Sequence, residues 1–313
     1  MTAYGKQGET SSTVKRLFVT DLDGTLLDDH KQIAPQDLAA LARLQQLGIS
    51  VALATGRSDF SVEKLLEKLL AEAEPAVLPA DHIIFSTGAG IMEYPGRRLL
   101  KSFSLGPENV RGIAGVLDSL ALDYMIHRPV PDTRRFLYRK SNADNNPDFH
   151  RRLELYNSHA APLSTAALAA VDGATEVLCI APAQIGHSIA DHLTATLKDF
   201  SVIKATSPLD GQSIWIEIFA PAVSKSQAVQ WLAAELGVDR KHVCAVGNDY
   251  NDEDLLRWAG ESFVVANSPP PILARFRSVA SNNEAGVSEA ASFWLGLSGP
   301  STDFSLLNHY PVR

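Results

Sequence analysis

Short apolar runs alternating with amphipathic, helix-period segments fill the first third of the chain, and few folds accommodate that alternation. Residues 16–20 (R-L-F-V-T) have the character of a buried strand. Residues 36–47 place Leu38, Leu41, Leu44 and Leu47 at helical spacing. Pro35 stands near the start of that segment and Gly48 just past its end, where each favours a helix boundary. Residues 49–54 give a second predicted strand, 61–70 a second amphipathic helix and 82–86 a third strand. Such a succession predicts an α/β fold, a Rossmann-like parallel sheet covered by helices. It returns late in the chain, with a helix over 226–236 ending at Gly237, a strand over 242–246, a helix over 253–258 and a strand over 263–266.

The middle of the chain has a different character. Residues 91–105 suggest a hairpin around Pro95-Gly96, followed by a helix over 109–120 and short strands. Pro129, Pro131 and residues 141–147 are loop material, and residues 213–219 alternate as a strand does. The expected organisation is a core of residues 14–88 and 213–297 interrupted by an α+β cap of 89–212. Glycine-bearing linkers are expected near 88–90 and 210–213. Residues 1–13 are expected to be a disordered leader and 298–313 a tail. A length of 313 residues suits one large or two moderate domains.

Composition narrows the function classes. No apolar run approaches the ~20 residues that span a membrane. A net charge of −8 argues against a nucleic-acid binder. The two cysteines, Cys179 and Cys244, lie in separate strand-like runs and are expected to be buried thiols rather than a disulfide or a metal site. A cytoplasmic location is the default expectation, and no obligate protein partner is evident.

The chemistry-bearing residues fall at strand ends and helix starts. The first strand runs into Asp21-Leu22-Asp23-Gly24-Thr25. Ligands of open α/β sheets bind beyond the carboxyl ends of the strands. Two acids two residues apart at such an end could share a site, one attacking phosphorus and the other moving protons. The bland alternative is an acidic strand exit. Strand two ends in Thr55-Gly56-Arg57, where a hydroxyl and a backbone amide could hold phosphate oxygens, or simply make a turn. Lys225 opens a helix, where an ammonium could neutralise nucleophile and substrate, although a lone lysine is ordinarily a surface residue. A later strand ends in Gly247-Asn248-Asp249-Tyr250-Asn251-Asp252, an oxygen-rich loop that suits Mg²⁺ or merely caps the next helix. In the middle of the chain, His127, Arg128, Arg134, Arg135 and Arg139 either form a solvated face or meet an anionic substrate.

Together these segments resemble the Cof-like branch of the haloacid dehalogenase (HAD) phosphatases, a group that includes sucrose-phosphate phosphatase and many sugar-phosphate phosphatases. The likeness spans about residues 15–295. Asp21 to Thr25 fit the first motif, Thr55 the second, Lys225 the third and Gly247 to Asp252 the fourth, while Thr87-Gly88-Ala89 resembles the junction with the cap. The resemblance implies a Mg²⁺-dependent phosphatase acting on a small phosphorylated metabolite, with a sugar phosphate favoured. It implies Asp21 as nucleophile and metal ligand, and Asp23 as acid/base with its carbonyl on the metal. Thr55, Gly56, Lys225 and Asn251 would hold phosphate. The family usually has Asp directly after the motif-four glycine, where this chain has Asn248. Asn248 is accordingly expected as a metal ligand, Asp252 behind a water, and Asp249 pointing away. Asp23 counts against a dehalogenase, and an insert after the second motif against a mutase. The remaining alternative is a HAD-fold protein that binds a phosphate ligand without turnover.

Overall fold

The computed structural model describes residues 14–71, 77–141, 145–221 and 223–297. The expectations of a disordered leader at 1–13 and a tail at 298–313 lie outside those residues. In it, the first apolar run becomes β1 (Leu17–Thr20), buried throughout. There follow α1 (Pro35–Gln46), β2 (Ser50–Ala54), α2 (Asp59–Leu70) and β3 (His82–Phe85). Pro35 sits in the first turn of α1, and the Ser58 hydroxyl caps α2 by accepting from the Ser61 amide. The hairpin is β4 (Gly90–Glu93) and β5 (Leu99–Ser102). Next come α3 (Pro107–Ser119), β6 (Tyr124–His127), β7 (Phe136–Arg139), α4 (Pro147–Leu155) and β8 (Ala160–Pro162). The chain continues through α5 (Thr165–Ala169), β9 (Glu176–Ala181), α6 (Ala183–Thr196), β10 (Ser201–Thr206) and β11 (Ile214–Phe219). The last part is α7 (Lys225–Leu236), β12 (Val243–Gly247), α8 (Glu253–Trp258), β13 (Glu261–Val265), α9 (Pro270–Leu273), β14 (Arg277–Val279) and α10 (Gly286–Trp294).

Two sheets organise these elements. The first has the order β14-β13-β12-β1-β2-β3-β4-β5, parallel from β14 to β3 and antiparallel beyond. Side chains of α1, α2 and α10 pack on one face and those of α7, α8 and α9 on the other. From β1 the chain moves outward through β2 and β3, then returns at β12 on the opposite side. The order therefore reverses between β1 and β12, and the crevice at their carboxyl ends is where such a sheet binds ligands. The second sheet has the order β10-β11-β9-β6-β7-β8. Alternation divides its faces. Tyr124, Val177, Cys179, Ile214, Ile216 and Ile218 pack under α3 and α6, whereas Met125, Leu178, Ile180 and Trp215 pack with Phe149 of α4. The expected fold class, a parallel-sheet core carrying an inserted α+β cap, is the one observed.

Both expected junctions move. The hairpin assigned to the cap pairs instead with β3 and extends the core sheet, because β3 otherwise presents an open edge. Residues 213–219, assigned to the core, form β11 of the cap sheet between β9 and β10. Neither expected linker is one. Residues 210–213 make the turn of the β10–β11 hairpin, where the Asp210 carboxylate accepts from the Gln212 and Ser213 amides. Gly88 has φ +104°, and a Cβ there would lie 2.4 Å from the Ser224 carbonyl oxygen. Its lack of a side chain lets β3 approach the start of α7. Sheet membership places the crossings after Ser102 and between Phe219 and Lys225. Both cysteines are buried free thiols, as expected.

Candidate active site

Asp21 and Asp23 leave the carboxyl end of β1, and Lys225 is the first residue of α7, whose N-cap Ser224 accepts from the Gln227 amide. The lysine is wholly buried. Its ammonium lies 2.6 Å from Asp21 Oδ1 and 2.5 Å from Asp252 Oδ1. Burial alone would depress a lysine's pKa, but the two carboxylates raise it above the ordinary value, so the charge is retained. Burial pushes the Asp21 carboxyl up to about 7 while Lys225 pulls it down. A cation beside Asp21 would pull in the same direction as the lysine.

The loop after β12 packs against the loop after β1. Thr25 Oγ1 donates to Asn248 Oδ1 at 3.1 Å. Gly24 has φ +75°, a conformation that favours glycine, and a Cβ there would stand 2.6 Å from Asn248 Nδ2. Asn248 thus faces the first loop, as expected. Asp249 points away, also as expected, and its destination is the cap: it accepts from Thr206 N at 2.6 Å and Thr206 Oγ1 at 3.1 Å. Asp252 Oδ2 accepts from the Asn248 and Asp249 amides at 2.8 and 3.1 Å. Both Asp252 oxygens are therefore engaged, and only Oδ1, with Lys225 as its one partner, keeps a second lone pair for a water-mediated metal contact.

The chain after β2 contributes the opposite wall. Thr55 is buried, and its hydroxyl accepts from the Arg57 amide at 3.0 Å. A Cβ at Gly56 would lie 3.5 Å from Asn251 Nδ2, so these two expected phosphate-binding residues are neighbours. Asp23, Thr55, Gly56, Lys225, Asn248, Asn251 and Asp252 thus gather around the end of β1. Among the described residues no three His, Cys, Asp or Glu side chains form a metal cage. An ion would have to rely on the Asp21 carboxylate, the Asn248 amide, a backbone carbonyl and water. That mixed oxygen set fits Mg²⁺, which keeps several waters.

Residues 18–290 match the haloacid dehalogenase-like hydrolases. The chain belongs to this family. Among its relatives, the HMP-PP phosphatase of Cronobacter sakazakii is 26% identical over 83% of this chain and 87% of its own. The 5-amino-6-(5-phospho-D-ribitylamino)uracil phosphatase of Bacillus subtilis is 24% identical over 87% of this chain and 95% of its own. A HAD-superfamily phosphatase from Bacteroides thetaiotaomicron shares the fold with a TM-score of 0.72 at 13% identity, covering 94% of this chain and all of the other.

Within this HAD-like hydrolase, several residues at the site carry no sequence signal of their own. Arg57 follows Thr55-Gly56, yet its part appears only in three dimensions: Nε and an Nη lie 2.6 and 2.7 Å from the two Asp23 oxygens. Lys31 adds a third contact at 3.1 Å. Burial would raise the Asp23 pKa, but the Arg57 hydrogen bonds and charge, with Lys31, hold it below the usual carboxylate range. A proton donor must carry its proton, so Asp23 can act as an acid only once this clamp loosens. From the cap, Glu217 of β11 reaches the same crevice. Its Oε2 accepts from Thr87 Oγ1 at 2.6 Å, and its Oε1 would lie 3.6 Å from a Cβ at Gly56. Thr87 and Ser86 both have positive φ, at 52° and 46°, a conformation β-branched threonine rarely adopts. The Thr87 and Ser86 amides donate to the Thr55 and Arg57 carbonyls and hold them there. The one available signal was an acid on the inward face of an otherwise apolar strand, Ile-Trp-Ile-Glu-Ile-Phe. Among the expected cap cations, Arg128, Arg134 and Arg135 gather around Asp132, and Arg139 pairs with Asp118. Only His127 is buried.

Proposed function

We propose that this hydrolase is a Mg²⁺-dependent phosphomonoesterase acting on a small organic phosphate, with a sugar phosphate favoured, through a phosphoaspartate at Asp21. The observation that carries the reading is the buried Lys225 ammonium held between Asp21 and Asp252. It places one positive charge where a dianionic phosphate would meet a carboxylate nucleophile. An Asp21 oxygen attacks phosphorus as the bond to the leaving oxygen breaks. Asp23, once protonated, gives its proton to that oxygen and later takes one from the water that hydrolyses the acyl phosphate, releasing inorganic phosphate. Thr55, Asn251 and the Gly56 amide, which has no partner among the described residues, would hold the phosphate oxygens. When bound through Asp21, the Asp23 carbonyl and Asn248, with Asp252 behind a water, Mg²⁺ would screen the charge between nucleophile and phosphate. Two relatives named for phosphatase activity on small metabolites support the substrate class. The buried free thiols fit a reducing compartment such as the cytoplasm.

One observation favours the alternative, phosphate binding without turnover: the Arg57 and Lys31 clamp on Asp23. Hydrolysis of p-nitrophenyl phosphate with and without Mg²⁺ separates the two. The expected result is metal-dependent phosphate release, with acid-quenched enzyme carrying phosphate on Asp21. Asp21→Asn should lower turnover by roughly a thousandfold or more with its melting temperature retained. Tight phosphate binding with no release by the wild type would establish the alternative.

A further inference from the structure

The cap sheet carries a polar patch that neither its own packing nor the proposed chemistry uses. On its inward face, Met125, Leu178, Ile180 and Trp215 are covered by α4, but the same alternation brings His127, Glu176 and Glu217 past the end of that cover. His127 and Glu176 are direct partners across β6 and β9, and Glu217 is paired with Leu178, two residues beyond Glu176. Arg152 of α4 lies against this group, its guanidinium 4.4 Å from the Trp215 ring and 5.3 Å from the Tyr156 ring.

His127, Glu176 and Glu217 are buried and Arg152 partly so, yet they are not mutually satisfied. Among the described residues, Glu176 Oε2, His127 Nε2 and Arg152 Nε have no hydrogen-bond partner. The gap from His127 Nε2 to Glu176 Oε1 is 3.9 Å, too long for a hydrogen bond. His127 Nδ1 lies 2.9 Å from the Thr133 carbonyl and so must donate to it, leaving Nε2 as an acceptor. Burial, with the nearby Arg152 charge, pushes this imidazole down to about 3, so it is neutral. Burial and mutual repulsion push Glu176 up to about 8, and burial pushes Glu217 up to about 7. Unpartnered polar groups this buried are costly, and native proteins retain them where something else completes them.

The composition of the patch selects its ligand. It offers an acceptor at His127, a donor at Arg152, and at Glu176 and Glu217 carboxyl groups that accept when ionised and also donate when protonated. An ammonium group supplies donors only and would sit beside a guanidinium. A hydroxyl both donates and accepts, and two or three on adjacent carbons reach several such groups at once. Glu217 spans the distance to the phosphoryl end, since it also borders Gly56 and Thr87. A carboxyl group there can accept from a hydroxyl close to the ester oxygen or, when protonated, donate to it.

Building on the phosphatase reading, we infer that Glu217, Glu176, His127 and Arg152 form the leaving-group pocket and select a polyhydroxylated chain or ring. These are specificity residues and take no part in bond breaking. The test compares kcat/KM of the wild type, Glu176→Gln and Glu217→Gln on three phosphate classes: sugar and alditol phosphates, amino-heterocycle phosphates and p-nitrophenyl phosphate. The wild type should prefer a polyol phosphate. Each Gln variant should lose about tenfold or more on it beyond any loss on p-nitrophenyl phosphate, mostly in KM, because a buried site built for hydroxyls discriminates through its hydrogen bonds. Equal losses on both substrates, or wild-type preference for amino-heterocycle phosphates, would overturn the pocket assignment while leaving the phosphatase reading intact. No hydrolysis of any phosphate by the wild type would overturn the phosphatase reading, and the pocket with it. The wild-type panel decides the matter even if a variant fails to fold.

Discussion

The two walls of the crevice treat buried charge in opposite ways. On the core side every buried acid has a cation or an amide: Asp21 and Asp252 share Lys225, and Asp23 has Arg57 and Lys31. On the cap side Glu176, His127 and Arg152 each keep an atom without a partner among the described residues. In the proposed reaction the core groups would do the same chemistry on any substrate, so their positions can be set before it arrives. In the inferred pocket the cap groups would bear on the part of the substrate that varies, and a ligand would complete them. Hydrogen bonds bring the walls together at Thr206 and Asp249, at Thr87 and Glu217, and between the Thr133 hydroxyl and the Asp59 carboxylate.

The contrast is most exposed at Asp23 and Arg57. Asp23→Asn should cut turnover about 10²–10⁴-fold, with the greatest loss for alkyl phosphates, whose leaving oxygen needs a proton most. Losses equal to those on p-nitrophenyl phosphate would deny Asp23 the acid role. Arg57→Gln removes the main partner that depresses the Asp23 pKa. The alkaline limb of kcat for an alkyl phosphate should then move to higher pH, and an unmoved limb would mean that the clamp does not govern this proton.

Lys225→Met tests the claim that the core wall is balanced. It leaves Asp21 and Asp252 buried without their shared cation, at a cost of about 3–5 kcal/mol in stability at neutral pH, together with loss of activity. Denaturant melts read it directly. A variant as stable as the wild type would show that the two carboxylates find other partners.

The cap wall predicts a smaller, pH-dependent effect of opposite sign. Glu176 and Glu217 have folded-state pKa values raised to about 8 and 7, so the folded protein holds protons that the unfolded chain has released. Stability from these groups is greatest below the unfolded glutamate pKa and falls as pH rises through 7 and 8. Glu176→Gln removes its part of that slope. Relative to wild type it should gain about 1–2 kcal/mol between pH 5 and pH 9. Parallel melting-temperature curves across that range would mean that Glu176 is not strained.

The smallest effects separate the two residues after Gly247. Asn248→Asp should tighten Mg²⁺ binding by about tenfold, since it adds a charge beside the first loop. Asp249→Asn should change Mg²⁺ affinity little, because that side chain serves the cap at Thr206. The reverse pattern in a titration would place the metal on Asp249.

Local periodicity determined much of this protein. Alternating apolar runs and helix-period leucines specify the parallel core, since strands and helices that bury one face have few ways to pack. The acids after β1, Thr55-Gly56, Lys225 and the loop from Gly247 to Asp252 were legible because strand ends and helix starts in such a sheet converge on one crevice. Sheet membership was not legible. The hairpin at Gly90–Ser102 and the strand Ile214–Phe219 could each pair with either sheet, and only the free edge of β3 and the gap between β9 and β10 decided between them. The Arg57 clamp on Asp23, the reach of Asp249 to Thr206 and the meeting of Glu176, Glu217, His127 and Arg152 likewise belong to tertiary structure alone. Each joins residues far apart in the chain or on separate elements, and no periodic pattern records which side chains a folded crevice brings face to face.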